Sequence, residues 1–115
     1  LLHPVKTMSA WVTDICGINK PCSLDFRFNI AMQGSLGIGG NLVKYSAEDL
    51  EICKKNIDFY KSVRNIVQFG DLYRILDIED GEVLCNEYVS TDKNESVVFI
   101  AANATRFFKK KFKAV

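Results

Sequence analysis

The chain has 115 residues, room for one small domain or pieces of two larger ones, and too few for a closed eight-stranded α/β barrel of roughly 250 residues. Hydrophobic residues at 48% and charged residues at 25% exclude a disordered or collagen-like chain. Fifteen Lys and Arg against fourteen Asp and Glu leave a formal charge of +1, too weak a field to gather nucleic acid or an anionic membrane.

The first residue is Leu1, and no capping residue or turn introduces the first predicted strand, so the N-terminus reads as cut. Residues 8–13, Met-Ser-Ala-Trp-Val-Thr, form a short apolar, β-prone run that predicts one buried strand, with Asp14 just beyond its end. Residues 15–23 read as loop, with Gly17, Asn19 and Pro21. Ser23 is placed to cap a helix whose first turn holds Asp25; its apolar faces are Phe26, Ile30 and Gly34 or Phe28 and Met32. That helix stops at Gly34, Gly37, Gly39 and Gly40, where the backbone adopts angles other residues avoid or two segments come very close. A dinucleotide-binding G-x-G-x-x-G from Gly37 needs glycine where Leu42 stands, and no Gly-Lys-Ser/Thr follows, so nucleotide binding is set aside.

Ser46 opens a second helix running to about residue 67, with Glu48 and Asp49 in a first turn that resembles a capping box. Leu50, Cys53, Ile57, Tyr60 and Val67 form its core stripe, and Lys54, Lys55, Asp58 and Lys61 its solvated face. Gly70 ends it. Residues 72–78, 83–90 and 96–103 read as three strands of an antiparallel meander, joined by Asp80-Gly81 and by Thr91-Asp-Lys-Asn94. The tail interleaves Arg106, Lys109, Lys110, Lys111 and Lys113 with Phe107, Phe108 and Phe112. Basic and aromatic residues in this order fit a single-strand-binding patch or, the reading adopted, an edge strand whose lysines block aggregation.

Cys16, Cys22, Cys53 and Cys85 are irregularly spaced, contain no C-x-x-C pair and have only His3 as an imidazole partner, so no metal site is expected. Cys53 lies among apolar residues as a small buried hydrophobe does, and the cysteines are read as belonging to a reducing, cytoplasmic setting. The sequons at Asn94 and Asn103 point the other way, but such short patterns are common by chance, and no signal peptide precedes them. No apolar run approaches the 18 or so residues a membrane-spanning helix needs. Near residue 69 the pattern changes from strand, loop and helices to consecutive strands without a linker. The strand at 8–13 has no parallel neighbour in this reading, which implies missing sequence.

In order along the chain stand Met8-Ser-Ala-Trp-Val-Thr-Asp14, Leu24-Asp-Phe-Arg-Phe28, Gly34-Ser-Leu-Gly-Ile-Gly39 and Phe59-Tyr-Lys61, followed through Arg64 by Gly70-Asp-Leu-Tyr-Arg74. This succession resembles microbial α-galactosidases of the melibiase type, glycoside hydrolase family 36, over residues 8–74. The resemblance implies an α/β then all-β architecture: the last βα unit of a (β/α)8 TIM barrel over residues 1–68, then the first antiparallel strands of a C-terminal β-sandwich over residues 69–115. It places residues 8–13 on the last barrel strand and residues 24–67 on the helices that close the barrel. Active sites of such barrels lie at the strands' carboxyl ends, so Trp11, Thr13 and Asp14 would approach the pocket mouth. Trp11 is then a sugar-stacking platform or a core aromatic wedged between strand and helix; Asp14 is a substrate contact, or else a loop carboxylate or a cap for the following segment. Arg27 is taken as a helix arginine paired with a carboxylate elsewhere in the barrel.

The family hydrolyses terminal α-galactosides with retention, using two carboxylates about 5–5.5 Å apart and no metal or organic cofactor. The resemblance puts both catalytic aspartates ahead of Leu1, so no catalytic residue is assigned here and the chain alone is expected to be inactive. Its partners would be an α-galactoside of the melibiose or raffinose type, through the intact parent, and further copies of itself, since members often form oligomers. The chain departs from the family at 15–22: where many members carry a Pro-Asn-x-Gln-like stretch ending in Arg, it has Ile-Cys-Gly-Ile-Asn-Lys-Pro-Cys, and only Asn19-Lys20 is similar. The competing reading is a free-standing, non-catalytic β-rich module that binds carbohydrate or protein.

Overall fold

A computed structural model describes residues 4–14, 22–76 and 83–102. After a 3₁₀ turn at Val5–Thr7 come β1 (Ser9–Val12), α1 (Leu24–Ala31) and β2 (Ser35–Ile38); a second 3₁₀ turn at Leu42–Lys44 leads to α2 (Ala47–Phe69), β3 (Asp71–Leu76), β4 (Val83–Val89) and β5 (Ser96–Ala102). β1 and β2 form a two-stranded parallel sheet joined through α1, and β3, β4 and β5 form a three-stranded antiparallel sheet in chain order. α2 lies against both α1 and all three antiparallel strands, so it joins the two sheets.

Both helices start where their caps dictate. The Ser23 hydroxyl accepts from the Phe26 amide at 3.1 Å. Ser46 and Asp49 complete the reciprocal box, with the Ser46 hydroxyl accepting from the Asp49 amide at 3.1 Å and the Asp49 carboxylate from the Ser46 amide at 3.4 Å. On α1 the inward face is the one built on Phe28 and Met32, joined by Leu24 and Ala31, while Phe26 and Ile30 point outward. On α2 Cys53, Tyr60, Ile66 and Val67 are buried and Ile57 packs beside them; Leu50, expected in this stripe, is 45% exposed because nothing among the described residues covers the first turn.

β2 is the principal correction to the sequence reading. The strand at 8–13 does have a parallel neighbour in the chain, with Ser9, Ala10, Trp11 and Val12 opposite Ser35, Leu36, Gly37 and Ile38. Residues 24–67 therefore hold a strand as well as helices, so the chain carries two strand–helix units and not the single last one expected, and residues 8–13 are followed by a further parallel strand. Gly37 within it and Gly34 and Gly39 on either side hid it, since glycine is depleted in strands. They serve close approach and not unusual backbone angles: none of Gly34, Gly37, Gly39, Gly40 and Gly70 sits at positive φ. A Cβ at Gly34 would stand 2.9 Å from the Met8 carbonyl oxygen, and one at Gly37 would stand 3.0 Å from the Trp11 ring.

Polar side chains stitch these layers together. The buried Tyr60 hydroxyl donates to the Gly34 carbonyl at 3.1 Å and accepts from Gln68 Nε2 at 2.9 Å and from the Leu36 amide at 3.4 Å, tying α2 to the start of β2. Buried Gln33 accepts from Asn86 Nδ2 at 2.8 Å and from the Tyr88 hydroxyl at 3.4 Å, and Asn29 donates to the Ile100 carbonyl at 3.0 Å, which ties α1 to the antiparallel sheet. Tyr88 and Phe99 meet edge to face with centroids 5.8 Å apart. The other face of that sheet leaves Tyr73, Val98 and Ile100 exposed, with Tyr73 and Val98 in one register row across Glu87. That face therefore mixes exposed apolar side chains with the Glu87 carboxylate between two of them.

The three strands match the predicted meander in order and pairing. Of the predicted turns, Thr91 to Asn94 is described: Lys93 has φ 61°, and Asp92 accepts from the Ser90 hydroxyl at 2.6 Å and the Asn94 amide at 3.0 Å. The loop at 15–21, the Asp80-Gly81 turn and the basic tail lie outside the described residues. Cys53 and Cys85 are free and buried, whereas Cys22 is disulfide-bonded, which corrects the reading of all four cysteines as reduced; spacing alone does not reveal which cysteines meet. The radius of gyration is 15.1 Å, larger than the roughly 13 Å expected of a self-contained domain of this length.

Candidate functional site

Because β1 and β2 are parallel, their carboxyl ends fall on the same edge, where Thr13 and Asp14 follow β1 and Gly39 to Asn41 follow β2, the place where α/β sheets build sites. Val12, fully buried, points from β1 toward the helices, and alternation puts Trp11 on the opposite face, where it is 61% exposed. Trp11 is thus not wedged between strand and helix. Its indole lies across its register partner Gly37 and reaches Gly39, whose Cβ would stand 3.5 Å from both the indole and the Thr13 methyl group.

Asp14 follows on the same edge. Its Oδ2 accepts from the Asn41 amide at 3.0 Å and its Oδ1 from the Tyr45 hydroxyl at 2.9 Å, so one carboxylate bridges the ends of both strands. The Asn41 amide, then the Tyr45 hydroxyl, hold the Asp14 carboxyl below its ordinary value, with Arg27 and Lys44 adding smaller attraction against partial desolvation. Tyr45 moves the opposite way: burial first, then the Asp14 charge, push its phenol up. Gly40 is what lets this pair form, because a Cβ there would run into both Asp14 Oδ1 and the Tyr45 oxygen.

Arg27 comes up from the first turns of α1 and donates through Nη1 to the Thr13 carbonyl, holding the last residue before Asp14. Sequence reasoning expected a carboxylate from elsewhere in the barrel; among the described residues the partner is this backbone carbonyl. Its Nε is buried with no hydrogen-bond partner among the described residues. Cys53, whose thiol is pushed up mainly by burial, lies near enough to Tyr45 and Arg27 to share their electrostatics. Among the described residues no three His, Cys, Asp or Glu side chains converge in a way that would hold a metal ion.

The structure therefore brings Trp11, Thr13 and Asp14 to one edge, along a floor of Gly37, Gly39 and Gly40. Sequence reasoning missed Asn41 and Tyr45, whose signal was an Asn and a Tyr immediately after clustered glycines and just ahead of the Ser46 cap. The depressed Asp14 carboxyl gives a signed expectation. Its contribution to stability is present above the unfolded carboxyl value of about 3.9 and is lost as pH falls through the lower, folded value. Asp14→Asn should flatten that part of the acid limb of unfolding midpoint against pH; an unchanged acid limb would count against the bridge.

The melibiase family model matches residues 1–70 of this chain. The chain is a member of the melibiase family. This melibiase chain is 32% identical over 100 residues to α-galactosidase AgaA of Geobacillus stearothermophilus, a match covering 85% of this chain and 14% of that protein. An α-galactosidase of Pediococcus pentosaceus is 30% identical over 102 residues, covering 87% of this chain and 14% of the relative. The chain thus spans about one-seventh of the length of these curated relatives. Among solved structures, the family 36 α-galactosidase AgaB of Geobacillus stearothermophilus superposes with a TM-score of 0.78 at 32% identity, over 83% of this chain and 13% of that one. The α-galactosidase of Lactobacillus brevis superposes at 0.81 and 28% identity over 98% of this chain and 16% of its own. Variants of AgaA from Geobacillus stearothermophilus have been crystallised in complex with raffinose and with stachyose, and match this chain at 30% identity.

Proposed function

We propose that this melibiase chain is the end of the catalytic (β/α)8 barrel, through residue 68, and the start of a β-sandwich, from residue 69, of a retaining α-galactosidase. The intact enzyme removes terminal non-reducing α-D-galactosyl residues from oligosaccharides of the raffinose type. The observation that carries this reading is the parallel β1-α1-β2-α2 unit itself, helices on one face and an open face bearing Trp11 on the other. A two-stranded parallel sheet of that kind needs neighbouring strands to close over the open face. The exposed Tyr73, Val98 and Ile100 on the outer face of the antiparallel sheet support a second sheet packed there, and both features favour the enzyme over a free-standing module.

The chemistry calls for two carboxylates about 5–5.5 Å apart, one ionised and one protonated. Asp14 is held ionised by two donors, so it is unsuited to be the acid, and we assign it with Trp11 to substrate binding. Asp25 accepts from Asn56 Nδ2 at 2.8 Å and Asp49 belongs to the helix cap, so neither is free for catalysis. The catalytic pair is assigned to the barrel strands that this chain lacks. Trp11 offers a flat apolar surface to the C–H face of a pyranose, and Asp14 accepts from its hydroxyls.

The test is hydrolysis of nitrophenyl α-galactoside and of raffinose by the complete gene product and, separately, by these 115 residues. Release of galactose by the complete protein, and none by the short chain, is expected. Turnover by the isolated chain would overturn the assignment of the catalytic pair, and a complete protein that cleaves no α-galactoside would overturn the function.

A further inference from the structure

Tyr45 occupies an unusual place for a tyrosine: on the loop between β2 and α2, half-buried, with its hydroxyl spent on Asp14. A carboxylate offers about four lone-pair directions, two on each oxygen. In Asp14 the Tyr45 hydroxyl takes one on Oδ1 and the Asn41 amide one on Oδ2. Among the described residues nothing takes the second direction on either oxygen, and Asp14 is exposed at the carboxyl edge of the parallel sheet. The Trp11 indole and this carboxylate rest on one glycine floor, Gly37 and Gly39 beneath the ring and Gly40 against the carboxylate.

We propose that Tyr45 is a positioning residue: with the Asn41 amide it fixes the Asp14 carboxylate so that its two remaining lone pairs accept from adjacent hydroxyl groups of a pyranose stacked on Trp11. This rests on the α-galactosidase reading and deepens it, naming a bidentate carboxylate as the group that reads the sugar's neighbouring hydroxyls. A carboxylate free to rotate would lose part of this recognition to the entropy of fixing it on binding. Gly40 belongs to the same device, since a side chain there would separate Tyr45 from Asp14. Among the described residues the charged groups facing Asp14 are Arg27 from α1 and Lys44 from the turn before α2, and neither depends on the Tyr45 hydroxyl for its charge.

The experiment uses the complete enzyme with Tyr45→Phe, Asp14→Asn and Gly40→Ala, and reads kcat and KM for raffinose, the pH profile of kcat/KM and the unfolding midpoint. Tyr45→Phe should raise KM roughly five- to tenfold with kcat within about twofold, and Asp14→Asn should raise it at least as much. The acid limb of kcat/KM should move to higher pH in Tyr45→Phe, because one of the two donors that keep Asp14 ionised is gone. A lowered unfolding midpoint with unchanged KM and pH profile would overturn the proposal and leave the α-galactosidase reading standing. If the wild-type complete enzyme turns over no α-galactoside, the functional reading fails and takes the proposal with it. Should Tyr45→Phe fail to accumulate, Gly40→Ala supplies the same readout, since a side chain there separates Tyr45 from Asp14 and should raise KM similarly while leaving the carboxylate in place; an unchanged KM would overturn the proposal.

Discussion

Phe28→Ala should cost about 3–5 kcal/mol of stability, the range for emptying an aromatic site in a packed core. Phe28 is 0% exposed, one turn into α1, and belongs to the cluster that joins Val12 of β1 to Tyr60 and Val67 of α2 and to Phe99 of β5. The site cannot readily collapse, because elements on several sides are held by polar contacts: Tyr60 grips Gly34 and Leu36, and Gln33 grips Asn86 and Tyr88. The check is the unfolding midpoint of the complete protein, with Phe26→Ala as control. Phe26 lies two residues away and is partly exposed, so its loss should cost well under half as much. Equal losses would mean that α1 is not anchored through the Phe28 face.

Gly70→Ala should cost about 3 kcal/mol, the upper end of overpacking, despite being the smallest possible change. Gly70 ends α2 and adopts φ −78° and ψ 176°, angles open to any residue, so conformational freedom is not the reason for glycine here. Space is. An added Cβ would run into the Ile66 carbonyl at the end of the helix and the Val89 carbonyl of β4, both backbone atoms with no rotamer to escape through. The Gly70 amide already closes the helix on Ile66 at 2.9 Å, and the next residue, Asp71, pairs with Val89, so relief requires moving α2 or pulling β3 from β4. Gly39→Ala is the control: its Cβ would meet neighbours at 3.5 Å or more, ordinary contact, and its effect should stay within about 0.5 kcal/mol. Comparable midpoints for the two variants would refute the close approach at the helix–sheet junction.

Local chemistry made much of this fold legible. Ser23 and Ser46 announced their helices because a hydroxyl that satisfies an orphan amide acts within a single turn and needs nothing distant. The meander from β3 to β5 could be read because alternation and turn residues are likewise local signals. The ordered motifs carried the family. β2 escaped because Ser-Leu-Gly-Ile, with glycines on either side, lacks strand propensity, and it becomes a strand only when β1 lies beside it. Phe28 and Phe26 were equally eligible for the core by spacing, and contact with β1, α2 and β5 decided between them.

The candidate site divides in the same way. Trp11 and Asp14 could be named from a strand and its end, but nothing local indicated that Trp11 lies over Gly37 or that Asp14 is gripped by residues 27 and 31 positions further on. The amino-acid order by itself determined where the helices begin, which strands pair as a meander and which family the chain resembles, since each depends on neighbours along the chain. Only the tertiary structure decided the parallel pairing of β1 with β2, the inward face of α1, the role of the glycines as points of close approach and the Asn41–Asp14–Tyr45 bridge. Each of those is a matter of which distant surfaces meet, and excluded volume and hydrogen-bond geometry settle that after the chain has closed on itself.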